Sequence, residues 1–262
     1  MAGVKDLNFA EQSWFFAVLS KICYSEPDVA TPQFNTMGYT DITYLDKDGS
    51  QGYILESDTE NVIVCRGTEV SDPRDAISDL KVWYAKEPRL GLVHAGFKQS
   101  VDRLWPQVKA HLLEDGYKPA YFAGHSLGAA MASIMAVRML QDPEMNKPQK
   151  LYTYGSPRAF SFIGSRLSCS GVDHHRWVNN LDIVPRSPGV LMGYGHFGHM
   201  HYINSWGKVI KHNVFTREWD RISAWKRAAE DEDLGYIDSH AMDNYIAALE
   251  NYKNEQNKGE GA

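Results

Sequence analysis

Ser126 stands in Gly124-His125-Ser126-Leu127-Gly128, between the apolar run Ala120–Ala123 and the small, apolar stretch Leu127–Leu140. Gly-x-Ser-x-Gly arises by chance in roughly one chain in ten of this length. Here a strand-like segment precedes it and a helix-like segment without further glycine follows Gly128, which separates it from an ordinary glycine-rich turn. A serine on a sharp strand-to-helix turn is held in a strained backbone conformation that lifts its hydroxyl off the sheet. The flanking glycines fit where a side chain would collide. The following helix points its first N–H groups at the place where an oxyanion would form. The chemistry is nucleophilic attack on a carbonyl.

A serine hydroxyl is a weak nucleophile until a histidine removes its proton, and that histidine needs a carboxylate to fix its tautomer. On a strand–turn–helix elbow the chain order is serine, acid, histidine. Asp182 follows the strand-like Arg176-Trp177-Val178-Asn179 and so leaves the same sheet edge as the elbow. Asp173 precedes that strand, at the wrong end, and Asp142 reads as a helix cap. Several histidines follow Asp182. His196, His199 and His201 cluster at a spacing that could hold a metal, but no Cys or carboxylate accompanies them, so no metal is expected. His240 opens the last helix, in Ile237–Ile246, where a side chain can reach back over the elbow. The residues alone favour His240 over the cluster only modestly.

These groups need a scaffold. The chain has 262 residues, 43% of them apolar, enough for one large core, and we expect a single α/β domain over 1–262. A helix is predicted over Phe9–Tyr24, closed by Pro27 and Pro32. Strands are predicted at Tyr39–Leu45 and Gly52–Glu56, joined by Asp46-Lys47-Asp48-Gly49, and a buried strand at Asn61–Arg66. A helix over Phe97–Leu113 should be interrupted by Pro106 and ended by Gly116. Beyond the elbow come strands at Leu151–Tyr154 and His175–Asn179, with a helix near Phe160–Leu167 between them. Strands alternating with helices imply a mostly parallel sheet covered on both faces. The polar tail 254–262 reads as frayed.

Composition excludes several roles. A net charge of −6 with scattered Lys and Arg argues against a nucleic-acid partner or a polybasic lipid patch. Cys23, Cys65 and Cys169 are odd in number and far apart, which fits buried reduced thiols. The apolar run Trp14–Leu19 is too short for a signal core or a membrane span. The expectation is a cytoplasmic protein as the sequence stands, or a secreted one if a leader has been removed.

Five segments in order resemble the class 3 lipases, the fungal-type triacylglycerol lipase family of the α/β-hydrolases. They are Cys65-Arg66-Gly67-Thr68, Val93-His94-Ala95-Gly96-Phe97, Gly124–Gly128, Asn179–Pro185 and Asp238–Tyr245. The resemblance runs from about Phe34 to Ala248. It implies an α/β-hydrolase fold, no cofactor, and a triad of Ser126, Asp182 and His240. It implies an oxyanion hole made by the Thr68 backbone N–H and hydroxyl with the Leu127 N–H. It assigns Gly193–Gly198 to a structural loop beside the site.

It also implies a helical lid over about 69–92, with a short helix at Pro73–Val82. Ile77, Leu80 and Trp83 would meet substrate, and Asp79 would support the oxyanion hydroxyl. Two departures stand out: these cysteines do not supply the disulfides of secreted fungal members, and the lid is unusually charged. The implied function is hydrolysis of acyl esters such as glycerides through an acyl-enzyme, with transient contact at a lipid interface. Other readings are a phospholipase or thioesterase on the same triad, or a lipase-like binding scaffold that no longer turns over.

Overall fold

The computed structural model describes residues 3–67, 83–115, 118–230 and 239–259. Its helices are α1 (Phe9–Ile22), α2 (Pro27–Thr36), α3 (Ala95–Glu114), α4 (Leu127–Gln141), α5 (Phe162–Leu167), α6 (Val214–Glu230) and α7 (Met242–Gly259). Its strands are β1 (Asp41–Lys47), β2 (Ser50–Glu56), β3 (Asn61–Cys65), β4 (Tyr84–Glu87), β5 (Gly91–His94) and β6 (Ala120–His125). They continue with β7 (Lys150–Tyr154), β8 (Phe160–Ser161), β9 (His174–Asn179), β10 (Tyr194–Gly195), β11 (His199–Ile203) and β12 (Val209–Ile210).

Eight strands form the central sheet in the order β1-β2-β3-β6-β7-β9-β11-β12. The run from β3 to β11 is parallel, and the edges β1-β2 and β12 are antiparallel. The central strands carry continuous apolar runs because both faces are covered. In β3, Ile63 and Cys65 face the α3–α4 layer, whereas Val62 and Val64 face the layer holding α1 and α7; in β6, Phe122 and Tyr121 divide the same way. The β1–β2 hairpin turns on Asp48 and Gly49, both at positive φ, as a two-residue hairpin with the strands' own twist requires.

Four expectations give way. Pro27 does not close α1. It sits at the first position of α2, where its missing N–H costs nothing, and Pro32 lies within that helix. Pro106 does not interrupt α3. A proline there costs about 3 kcal/mol, but Phe97, Val101, Leu104, Val108 and Leu112 bury one continuous stripe, at roughly 1.5–3 kcal/mol each. The predicted end at Gly116 lies outside the described residues; α3 itself stops at Glu114. The tail is helical to Gly259, and Asn257 bonds Asn8 and Glu11 of the α1 cap. Finally, Phe160 and Ser161 pair as β8 before α5 begins.

A second sheet, unforeseen in the sequence, has the order β10-β8-β5-β4. It takes up the end of the predicted lid, where Tyr84–Glu87 and Gly91–His94 form a hairpin; the helix expected at Pro73–Val82 lies outside the described residues. A buried ion cluster holds this hairpin to the domain. Arg138 of α4 grips Glu87 with two hydrogen bonds, 3.0 and 2.8 Å, and also bonds Asp102; Lys98 lies 3.3 Å from Glu87. Arg138→Met should therefore destabilise the fold by about 3 kcal/mol, because it leaves a buried carboxylate short of its partner. Replacing both Arg138 and Glu87 with apolar residues should cost less than the single change. Urea unfolding of the three proteins checks both statements.

Candidate active site

Ser126 joins β6 to α4 at φ 55°, ψ −127°, a left-handed region that non-glycine residues avoid. Close packing enforces this conformation. A Cβ on Gly124 would lie 2.6 Å from the backbone of Gly128, and one on Gly128 would collide with the carbonyl of Cys65 and lie 2.8 Å from that of Arg66. The serine N–H donates to the Tyr154 carbonyl on the next strand, 2.9 Å. Leu127 opens α4, so its N–H is among those that no helical turn can satisfy.

His240 reaches the elbow from just before α7. Its Nδ1–H donates to Asp182 Oδ2 at 2.9 Å, since a carboxylate oxygen only accepts. That leaves Nε2 to accept the Ser126 hydroxyl, also at 2.9 Å. Asp182 is fully buried, and each of its oxygens accepts a hydrogen bond from a donor other than His240. Tyr245 O–H donates to Oδ2 at 2.7 Å and the Val184 N–H donates to Oδ1 at 2.9 Å. Tyr245 in turn accepts the Asn179 N–H, and Asn179 donates its amide to the Ser239 carbonyl, so the strand bearing the acid is tied to the segment bearing the base.

Behind His240 lies His125, ring centroids 4.5 Å apart. His125 Nε2–H donates to the His240 carbonyl at 2.8 Å, which leaves Nδ1 to accept the Tyr24 hydroxyl at 2.8 Å. Burial, followed by the charge His240 would carry, holds the His125 pKa well below the usual histidine value.

Arg158, which sequence reasoning did not single out, and His196 of the histidine cluster hold the loop carrying the acid. Arg158 donates to the carbonyls of Arg186 and Pro188, and His196 Nε2–H donates to that of Pro185. His201 bonds His175 at 3.1 Å, and His199 is exposed, so the histidine cluster is split three ways. Among the described residues no set of three His, Cys, Asp or Glu could hold a metal ion. Gly155 and Tyr245 were also missed as participants. Gly155 follows a strand and begins Gly-Ser-Pro, a signal for a turn, but only the fold reveals what lies against it. Thr68, Ile77, Asp79 and Leu80 lie outside the described residues. Trp83 is exposed at the start of the β4–β5 hairpin.

The family model for class 3 lipases matches residues 62–192. A lipase of Rhizopus niveus is 32% identical over 179 residues, covering 63% of this chain and 43% of that protein. A secreted mono- and diacylglycerol lipase of Fusarium solani is 32% identical over 109 residues, 40% of this chain and 32% of that one. The chain thus spans less than half the length of these curated relatives. The structure of a triacylglycerol lipase with a serine-protease triad superposes with a TM-score of 0.65 at 24% identity, over 75% of this chain and 82% of the other. The fold is that of an α/β-hydrolase. Among the described residues, no helix is long and apolar enough to cross a membrane.

Two outcomes follow from this geometry. Gly155 has φ +57°, and a Cβ there would lie 2.8 Å from Asp182 Oδ2 and 3.0 Å from His240 Nδ1. Gly155→Ala should therefore displace the acid–base pair and lower kcat by about a hundredfold, read in steady-state ester hydrolysis. The second concerns acid. Burial holds His125, His174 and His196 neutral, and it lowers His94 and His201 to about 4. The unfolded chain takes up these protons near pH 6.5 while the folded chain refuses them. Stability should be full above about pH 6.5 and fall steadily as the pH drops toward 4. Urea midpoints measured across that range test it; a midpoint unchanged from pH 7 to 5 would contradict it.

Proposed function

We infer that the chain, which belongs to the class 3 lipase family, is a serine carboxylic-ester hydrolase that cleaves acyl esters of the glyceride type. The observation that carries this reading is the unbroken relay from the Ser126 hydroxyl through His240 to a buried Asp182 that accepts three hydrogen bonds. Membership alone would fit an idle scaffold. A strained serine already aimed at a correctly tautomerised histidine is an arrangement that turnover needs and binding does not.

In this reading His240 takes the Ser126 proton as Oγ attacks the ester carbonyl. Negative charge gathers on the carbonyl oxygen, where the Leu127 N–H and the Thr68 N–H and hydroxyl stabilise it. Asp182 offsets the imidazolium charge without taking its proton, and His240 then protonates the leaving alcohol. Water enters, His240 deprotonates it, and the acyl-enzyme is hydrolysed. No step calls for a metal or an organic cofactor. The Fusarium solani relative's name, a mono- and diacylglycerol lipase, supports partial glycerides as the first substrates to test.

The three groups act as a unit, so their losses should not add. Ser126→Ala and His240→Ala should each lower kcat by about a million-fold, and the double change should cost little more. Asp182→Asn should cost about ten-thousand-fold through the wrong tautomer. Kinetics on a soluble short-chain ester test this; a His196→Ala variant that lost turnover while His240→Ala kept it would reassign the base. Thr68→Val, which keeps shape and backbone but deletes the hydroxyl, should lower kcat about a hundred- to thousand-fold with KM nearly unchanged. Wild-type kcat in that variant would remove Thr68 from the mechanism.

A further inference from the structure

Arg176 sits in the middle of β9, and the reaction makes no use of it. The residue is 7% exposed, and its Nε is sealed from solvent without a hydrogen-bond partner. Among the described residues its guanidinium has no ion-pair partner either. His174 projects from the same face of the strand, as alternate residues do, and its Nδ1 is buried and unpartnered in the same way. The residues opposite Arg176 in register are Thr153 on β7 and Met200 on β11, neither of which carries charge. The charges that Arg176 does feel are positive. Arg217 of α6 reaches Met200 Sδ at 3.3 Å, and Arg158 bonds the carbonyls of Arg186 and Pro188. Burial, followed by the charges of Arg158 and Arg217, lowers the Arg176 pKa to about 9, so it is still a cation at neutral pH.

A guanidinium holds its proton in a protein, so neutralisation does not relieve its burial. A charge withdrawn from water is tolerated when a counter-charge accompanies it and is very costly when none does. Backbone carbonyls and water satisfy N–H groups but bring no charge. On the His174 ring, Nε2 meets the Thr153 hydroxyl at 2.7 Å, and burial keeps the ring neutral. With Nε2 accepting from that hydroxyl, the ring proton lies on Nδ1, so this face of β9 presents unpaired donors and positive charge together. We propose that Arg176 forms a buried binding site for a small monovalent anion of the chloride class. Its N–H groups donate to the ion, whose charge offsets Arg176 in the field of Arg158 and Arg217. A divalent anion is a poorer occupant of a site closed to solvent, because its desolvation costs more. The proposal does not rest on the hydrolytic reading, and its test involves no turnover.

The experiment follows the thermal midpoint of the full chain at fixed ionic strength as sodium chloride replaces sodium gluconate, whose anion is too bulky for a site closed to solvent. The midpoint should rise and then level off, by about 3 °C or more at ten times the dissociation constant. In Arg176→Met, which removes the charge but keeps an unbranched stem to pack, the midpoint should not respond to the exchange. A wild-type midpoint that ignores the exchange would overturn the proposal, the guanidinium then being met by water or by a carboxylate of the chain itself. So would a rise that never saturates, or one of equal size in Arg176→Met, since either marks a general effect of salt. Bromide soaked into crystals of the wild-type protein reads the site without any variant. An anomalous peak in contact with the Arg176 guanidinium is expected, and its absence there would count against the site.

Discussion

The close approach of α4 to the ends of β3 and β6 is the constraint from which the rest of the site follows. Gly124 and Gly128 leave no room for a side chain between helix and sheet, so the chain must turn within one residue. That residue is Ser126, and its left-handed backbone stores about 1–3 kcal/mol of strain. The strain persists because its surroundings over-determine it. Ser126 is bonded to β7 through its N–H, and α4 buries Ala129, Ala130 and Met131 just beyond the turn. A looser helix would let the serine relax and drop its hydroxyl out of line with His240.

Convergence of three distant segments is the second requirement, and hydrogen bonds to a buried carboxylate meet it. An isolated carboxylate with no exposure would be prohibitively costly. Asp182 is tolerated because His240, Tyr245 and the Val184 N–H each donate to it. Those donors lie on the acid's own loop, before α7 and within α7, so the same bonds that make the charge affordable also bring the base to the serine. His125 adds a brace from behind, fixed in one tautomer by the carbonyl of His240.

The local part of this arrangement was legible in the sequence. Glycine at two fixed offsets from a serine, after a strand and before a helix, announces a backbone geometry, and the central strands betray themselves by runs with no polar alternation. Asp182 was readable because it leaves the correct end of a strand. His240 was only favoured by the residues; family resemblance separated it from the cluster at 196–201. What was illegible depends on tertiary contact. Nothing local marks Gly155 as the residue lying against both Asp182 and His240, or Tyr245 as the donor to Asp182. Two-residue strands such as β8 and β10 carry no periodicity to read, so the second sheet stayed hidden. The continuity of α3 through Pro106 is decided by its buried stripe, which outweighs the local penalty. Helix α6 was missed because its apolar side faces out, the reverse of the pattern that predicts packing.

The whole site turns on Ser126 being a nucleophile activated in place by His240. A stoichiometric phosphonate ester, followed by intact-mass and peptide mass spectrometry, tests it most directly. One adduct per chain is expected, on Ser126, formed quickly in the wild type, very slowly in His240→Ala, and not at all in Ser126→Ala. An adduct on another residue, or labelling of Ser126 at an undiminished rate without His240, would contradict it.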